Sequence, residues 1–582
     1  IMPKNLISNH FDVAGVYVEG QRSAFPFKKP VQSTFMSGML VPMGDPIPVF
    51  PGTKLDLAVN AVLRSNTMVV PPLQGMYIDI FAVWVPHRIV WNEFPQFLGE
   101  NDSTAWTQSI SYQYPTFPYS MINTALSGIS VNSSFAKLSL GNLSLLEHYG
   151  FHSAPAGISG LSNTNVNALA FRGYYFAWNY LFRDENYQRP VLFSKSSIGS
   201  SGEFGYYLRD YYLKSGTTTS ILTGNGLFAL MPVNKFHDAL TSVTPEAQYG
   251  DASVLPLGTE AEVVYKGFDT NAEPYFVQAD NVTPAVAGNL STYSTWVRST
   301  TNSAQSAAVG YNPNGSLVAD LTNATAATIN QFRTAVMYQR YIEALARSGR
   351  RVPEFYRAIY GVRKSDALKD YPELLTRGRY VLGVNQVVAT ADSSGSGWTS
   401  HLGDTGAYSL TSIRGHALCE KEFDEFGYLH ILYCVRADNV YAYYTPQHFF
   451  KKELLEEYNP FFDHTGEVGI KNYLVNYNVS ASSVGNWGYQ EAWWDERTQV
   501  AMQTGAISRS GGSLSYWTLA ESMSGSDIVC SPSWLVFKPE TLDNIFVSNY
   551  YSYPQFIGDF LIYGKKYARM SAHSQPGIVG RI

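Results

Sequence analysis

From Met76 to Val85 the chain reads MYIDIFAVWV, a run in which Asp79 is the lone charge. A half-buried strand alternates apolar and polar side chains, so a run without alternation needs cover on both faces. This segment is therefore expected to be a strand from the middle of a thick fold. Pro86 has no backbone N–H and restricts Val85 before it, so the ladder should end there. Trp91 to Leu98 then reads as a short, exposed aromatic arm closing at Gly99, suited to a protein that packs against copies of itself.

At 582 residues the chain has room for several average domains, yet no Gly/Ser linker or charge run divides it, which favours one large core with elaborated loops equally well. Charged residues make up 15%, against roughly 25% in an ordinary domain, while Tyr (41), Phe (32) and Trp (11) are abundant. Aromatics with scarce charge mark large buried interfaces; the competing reading is an aromatic-rich secreted β protein. Cys419, Cys434 and Cys530 cannot all pair and show no C-x-x-C spacing, so they are expected to be small buried hydrophobes. No charged-then-apolar leader and no run of about 18 apolar residues occurs, so neither a signal peptide nor a membrane span is expected. The opening Ile1 suggests that a short stretch precedes it. Asn-x-Ser/Thr triplets at Asn132, Asn281 and Asn478 carry no weight without a leader.

Net charge is −6, against a bulk nucleic-acid binder, but its distribution is uneven. Residues 331–380 hold eleven Arg/Lys against five Asp/Glu, and residues 560–582 hold Lys565, Lys566, Arg569 and Arg581 with no acid. Such a molecule can touch a polyanion on one side only, as a container for nucleic acid must. Solvated faces are the plainer account of either cluster alone. Arg333, Arg340 and Arg347 recur every seven residues, a single stripe on a helix, with Tyr338, Tyr341, Ile342 and Leu345 opposite and Glu343 nearby to satisfy the arginines. This stripe and the Lys565, Lys566, Arg569 tail are the candidate DNA contacts.

Strands are expected at Thr34–Val41, Leu55–Leu63, Met76–Val85, Tyr380–Thr390, Gly427–Ala437 and Phe556–Tyr567. Helices are expected at Val166–Arg183, at 325–348, and from Thr445 and Pro446 to about Tyr458. Strands far apart in sequence, with helical excursions between, fit an antiparallel sandwich with long insertions. From Tyr265 to Leu321 the sequence is polar and turn-rich with few charges, which is either disorder or a surface excursion held by its own short strands. Trp296, Val297 and Tyr311 favour the excursion.

Catalysis finds little foothold. Glu491, Trp493, Trp494, Asp495 and Glu496 resemble the lining of a sugar cleft, where two carboxylates act as acid and base, but adjacent carboxylates on a loop are more often solvated. His448, Asp463 and His464 lack an H-x-x-x-H or H-E-x-x-H spacing for a metal. No nucleophile elbow, P-loop or dinucleotide fingerprint is present.

The ordered segments MSGMLVPMGDPIPVFPGTKLDL (36–57), MYIDIFAVWVPHRIVWNEFPQFLGE (76–100), ALAFRGYYFAWNYLFRDEN (168–186), KFHDALTSVTPEAQYGD (235–251), DLTNATAATINQFR (320–333), NWGYQEAWWDERT (486–498) and PQFIGDF (554–560) resemble the major capsid protein of the Microviridae, small single-stranded DNA phages. The gokushovirus-like branch is the most similar. The resemblance implies a mainly β chain, one eight-stranded antiparallel jelly-roll sandwich over 1–582 with long helical and loop insertions. It implies a T = 1 icosahedral shell of the chain itself around a circular single-stranded DNA genome, in the virion, assembled in the host bacterial cytoplasm. Minor DNA-binding and DNA-pilot virion proteins and a host surface receptor are the implied partners; no cofactor, metal or catalytic residue is implied. In the gokushovirus-like members an insertion at the place of Tyr265–Leu321 builds a threefold protrusion, which would carry Trp296 and Tyr311. The Gly/Ser-rich stretches within 186–234 and 391–412 fit no family segment and read as lengthened surface loops. The alternatives from other classes are a carbohydrate-active β-rich enzyme and a carbohydrate-binding module.

Overall fold

The computed structural model describes residues 22–98, 113–119, 144–151, 165–196, 204–207, 221–223, 228–250, 262–265, 276–278, 309–311, 317–320, 329–348, 370–390, 392–395, 398–400, 402–509, 514–520, 523, 525–547, 554–570 and 572. The protein is mainly β, with antiparallel sheets. At its centre Met76–Pro86 pairs antiparallel with Gly427–Ala437, Met76 opposite Ala437 and Pro86 opposite Gly427. Each of these two strands is buried at every position but one, as expected of a run lacking alternation. Glu373–Val381 flanks the pair on one side, and Val41–Pro42 and Ile47–Val49 on the other, completing a five-stranded sheet.

The two faces of that sheet are covered differently. One packs on a second five-stranded sheet ordered Ser23–Phe35, Phe556–Ala568, Thr53–Ser65, Thr405–Phe423, Val384–Val388. Tyr433 joins the layers, meeting Phe35 edge-on at 4.9 Å and Phe560 at 4.7 Å between ring centroids. The other face lies under the helix Leu169–Leu181, which is itself buried along ten consecutive-turn positions from Leu169 to Asn179 save Ala170. Close approach is possible because position 173 is glycine: a Cβ there would sit 2.5 Å from His430 Nε2. The second sheet has one open face, so its strands do alternate. In Thr53–Ser65, Leu55, Leu57, Val59, Ala61 and Leu63 point inward while Asp56, Val62 and Arg64 are exposed.

Several local expectations give way to tertiary context. The run Thr34–Val41 is not a strand, because Ser23–Phe35 ends at Phe35 and the chain turns through Gly38 at φ 73° before Val41–Pro42. Tyr380–Thr390 splits into Glu373–Val381 and Val384–Val388, which belong to opposite sheets. The helix expected from Thr445 to Tyr458 is two separate 3-10 turns, Gln447–Phe449 and Leu454–Glu456, because Pro446 stays extended and Glu453 and Glu456 close a capping box of their own. The segment after Trp91 is no exposed arm: Trp91 and Phe94 are buried, and Trp91 packs on Phe94, Phe97 and Tyr114. Of the Gly/Ser-rich stretches, 197–203 lies outside the described residues and Ser393–Gly395 pairs with Trp398–Ser400; later in the same intervals Phe228, Leu230, Met231 and Val233 lie in the core and 405–412 begins the longest described strand. All three cysteines are buried and free.

Residues Gln248–Ser348 form a compact unit of their own. Within it Glu262–Tyr265 pairs with Leu317–Asp320, and nested inside, Phe276–Gln278 pairs with Val309–Tyr311. The polar excursion is thus held by short strands, and its helix runs Ile329–Ser348.

Phe81 tests the central strand. It is 5% exposed, edge-on to Phe182 at 4.9 Å. Phe81→Asp is expected to abolish soluble subunit, because burying a carboxylate costs several kcal/mol against a total stability of about 5–15 kcal/mol. Arg377 stands opposite Phe81 in register with its guanidinium 5.8 Å from the ring, but it is exposed, so pairing with the new carboxylate would lessen the loss without removing it. A normal yield of particles from this variant contradicts the burial assignment.

Candidate functional site

The acidic, tryptophan-rich cluster is built as a brace rather than a cleft. A tight turn holds Trp493 at φ 63°, and its indole N–H donates to the Phe462 carbonyl at 3.1 Å. Trp494 is buried. Every carboxylate has a cation: Arg497 reaches Glu491 at 3.0 Å and Asp463 at 3.2 Å, and Lys451 reaches Glu496 at 2.8 Å and Asp495 at 3.5 Å. Burial alone would lower the Lys451 ammonium, but Glu496, Asp495 and Glu457 outweigh it and hold it above its ordinary value. Lys451 in turn keeps the Glu496 carboxyl below the usual range. Carboxylates committed to ion pairs cannot act as an acid and base couple, and Asp463, engaged by Arg497, is not brought together with His448 and His464 as a ligand set.

The basic candidates divide by face. Arg333 and Arg340 are both exposed on the helix Ile329–Ser348. Tyr338 and Tyr341 are exposed too, at 55% and 40%, while Ile342 is buried; the side chain of Leu345, the fourth residue of the expected apolar side, lies outside the described residues. Gln339 bonds both Glu343 and Gln248, which locks this turn of the helix to the segment before the excursion. The side chain of Arg347 lies outside the described residues, as do 349–369, where much of the 331–380 cluster falls. Lys565 is exposed on the open face of the second sheet, between Pro26 and Asp56 in register, and Arg569 is exposed just past the end of its strand. Lys566 belongs to the opposite face by strand alternation, its ammonium 5.2 Å from the Phe50 ring centroid and lowered by burial. The sequence grouped these lysines; the pleat separates them. Tyr311 stands opposite Phe276 in the inner ladder, and Trp296 lies outside the described residues.

A buried ionic cluster escaped the sequence reading altogether. Asp79, fully buried in the central strand, accepts from Arg379 at 2.7 Å and from Arg436 on the neighbouring strands. Both guanidinium groups lie over Phe236, 4.2 and 4.3 Å from the ring centroid. Burial pushes the Asp79 carboxyl up, yet the two arginines outweigh it and hold it below the usual carboxylate range. Further along the same pair of strands, burial holds the His430 imidazole down at about 3, and just past Pro86 it holds His87 at about 4. No signal in the sequence pairs these groups, since the partners of Asp79 are 300 and 357 residues away.

These features, large covered sheets, paired carboxylates and cations on open surfaces, are those of a structural subunit. Residues 16–578 match the family described as "Capsid protein (F protein)". The chain belongs to that phage capsid protein family. The capsid protein is 29% identical over 542 residues to capsid protein VP1 of Bdellovibrio phage phiMH2K, covering 92% of this chain and 91% of the relative. It is 28% identical to capsid protein VP1 of Spiroplasma virus 4, with 84% and 82% covered. To capsid protein VP1 of Chlamydia phage 1 it is 24% identical, with 96% of each covered. The capsid protein is structural and not an enzyme, which removes the carbohydrate-active alternative. As a capsid protein it self-assembles into a capsid and is part of the virion. No helix among the described residues is long and apolar enough to cross a membrane.

Proposed function

We propose that this capsid protein is an eight-stranded jelly roll forming the T = 1 icosahedral shell around a circular single-stranded DNA genome. The family match over 16–578 carries the reading. Strand count supports it: Val41–Pro42 and Ile47–Val49 both pair along Gly427–Ala437 as one interrupted strand, which with three long strands makes four members in that layer, against four long strands and the short Val384–Val388 in the other. The first described strand pairs with the last along its full length, Ser23 opposite Ala568 and Phe35 opposite Phe556, as antiparallel closure of a sandwich requires.

The excursion Tyr265–Leu321, held at its base by the pairing of Glu262–Tyr265 with Leu317–Asp320 and by the nested Phe276–Gln278 and Val309–Tyr311, suits a protrusion at the threefold axes bearing Trp296 and Tyr311 and meeting a host surface receptor, with the helix Ile329–Ser348 lying beyond it in sequence. Exposed Arg333 and Arg340, with Arg347 seven further on, and Lys565 and Arg569 are the candidate phosphate contacts inside the shell. Lys566 is the weakest of the set, half-buried over Phe50. Minor DNA-binding and DNA-pilot proteins would share that interior, and assembly would take place in the host bacterial cytoplasm.

Expressed in a permissive host, the wild-type chain should give uniform icosahedral shells in negative stain. Arg333→Glu with Arg340→Glu should leave shell yield unchanged and lower packaged DNA, with a shallower salt dependence of DNA binding by the disassembled subunit. A monomeric wild-type chain overturns the shell. Unchanged DNA content in the double variant removes the helix from the interior.

A further inference from the structure

Between Gln447 and Asp463 the chain makes an excursion of three short 3-10 turns whose apolar side chains face solvent. Phe461 is 93% exposed, Leu454 78%, Phe449 71% and Tyr458 50%. Since a large aromatic side chain buries roughly 150–250 Å², these four expose several hundred Å², at the upper end of what a monomer's largest apolar patch shows. A standard interface takes about 800 Å² from each partner.

The excursion is held in place, not left loose. Asn459 Oδ1 accepts from the Phe461 N–H at 3.0 Å, Pro460 presets the turn, and Thr465 Oγ1 donates to the Phe462 carbonyl. The acidic, tryptophan-rich cluster that resembled a sugar cleft is its support. Trp493 donates to Phe462 and stacks edge-on with Tyr458 at 5.7 Å, while Arg497 ties Asp463 to Glu491. Trp493 is the one non-glycine residue at positive φ among the described residues, a strained backbone spent on positioning this turn. Exposed Lys452, Glu453, Glu456 and Glu457 surround the apolar groups with both signs of charge, the composition of an interface rim.

We propose that this excursion is a contact between copies of the chain, with Phe461 as its anchor inserted into a neighbouring subunit. The proposal rests on the chain being a shell subunit, for which a second copy is the partner always present at the surface. Rigid presentation of an aromatic group lowers the ordering cost of docking, and aromatic anchors dominate interface energies. The Glu491–Glu496 residues are positioning groups that act through this turn.

Two variants test it, Phe461→Ser and the combined Phe449→Ser, Leu454→Ser, Phe461→Ser, beside a wild-type chain carrying photoreactive benzoylphenylalanine at 461. Subunits of both should keep the wild-type thermal midpoint, because the replaced side chains touch little of their own chain. Shell yield should fall roughly tenfold or more, and the photoproduct should join position 461 to a peptide of a second copy. Wild-type shell yield from the combined variant overturns the proposal. So does a photoproduct only with another virion or host protein, or a lowered thermal midpoint, which would make Phe461 part of its own subunit's core. Failure of the wild-type chain to form shells strikes the shell reading, and this proposal with it.

Discussion

Asp79→Ala is expected to cost the subunit about 3–5 kcal/mol, read as a drop in urea midpoint and in particle yield. The carboxylate is fully buried between two arginines, and the Arg436 side chain is only 9% exposed, so its removal leaves a buried cation uncompensated. Arg379 is partly exposed and contributes less. Acid should act in the same direction. A depressed carboxyl lends its stability in full above the unfolded value near ~3.9 and loses it as pH falls through the lower folded value. Before that, His430 and His87, held at about 3 and about 4 in the fold, are protonated preferentially in the unfolded chain once pH falls below ~6.5. Their stability is complete above that pH and declines below it. A subunit equally stable at pH 7 and pH 4 contradicts the histidine assignment, and one that loses nothing further on acidification below pH ~4 contradicts that of Asp79.

Gly38→Ala should prevent accumulation of folded subunit. At φ 73° an L side chain is strained, and the added Cβ would lie 2.0 Å from the Phe537 carbonyl oxygen, a backbone atom with no rotamer to yield. The turn cannot move freely, because the Gly38 N–H donates to Val435 and its carbonyl accepts from Val233, both at 2.8 Å. Gly403→Ala supplies the comparison: φ is 93° there, yet nothing lies within 4 Å of the new Cβ. That change should cost only about 1–2 kcal/mol and leave particles intact. Equal effects of the two would show that conformation, not the Phe537 contact, decides.

What was legible in the sequence follows from what is locally encoded. Gly427–Ala437 is a strand over the limits expected, and Met76–Val85 extends by only Pro86, because uninterrupted apolar runs of strand length admit few other fates. Ser23–Phe35 went unseen because Pro26 and Pro30 argue against a strand; it is an edge strand, where a missing N–H costs no ladder bond. The 19 residues of Thr405–Phe423 went unseen because bulges after Ile413 and Ala417 break the alternation a reader relies on. Tyr380–Thr390 has a strand's composition throughout, and nothing local marks Leu382 and Gly383 as the crossing between sheets.

By itself the sequence determined a β-rich capsid subunit. Strand periodicity, scarce charge and the ordered segments of its family are properties of the chain that survive without coordinates. Only the tertiary structure decided which charges are buried partners and which surfaces are left open. Asp79 meets Arg379 and Arg436, Lys565 and Lys566 part to opposite faces, the carboxylates beside Trp493 are consumed by Lys451 and Arg497, and Phe461 stands in solvent. The reason is physical. Burial and charge pairing depend on distances between residues hundreds of positions apart, and those distances exist only once the sheets have closed on each other.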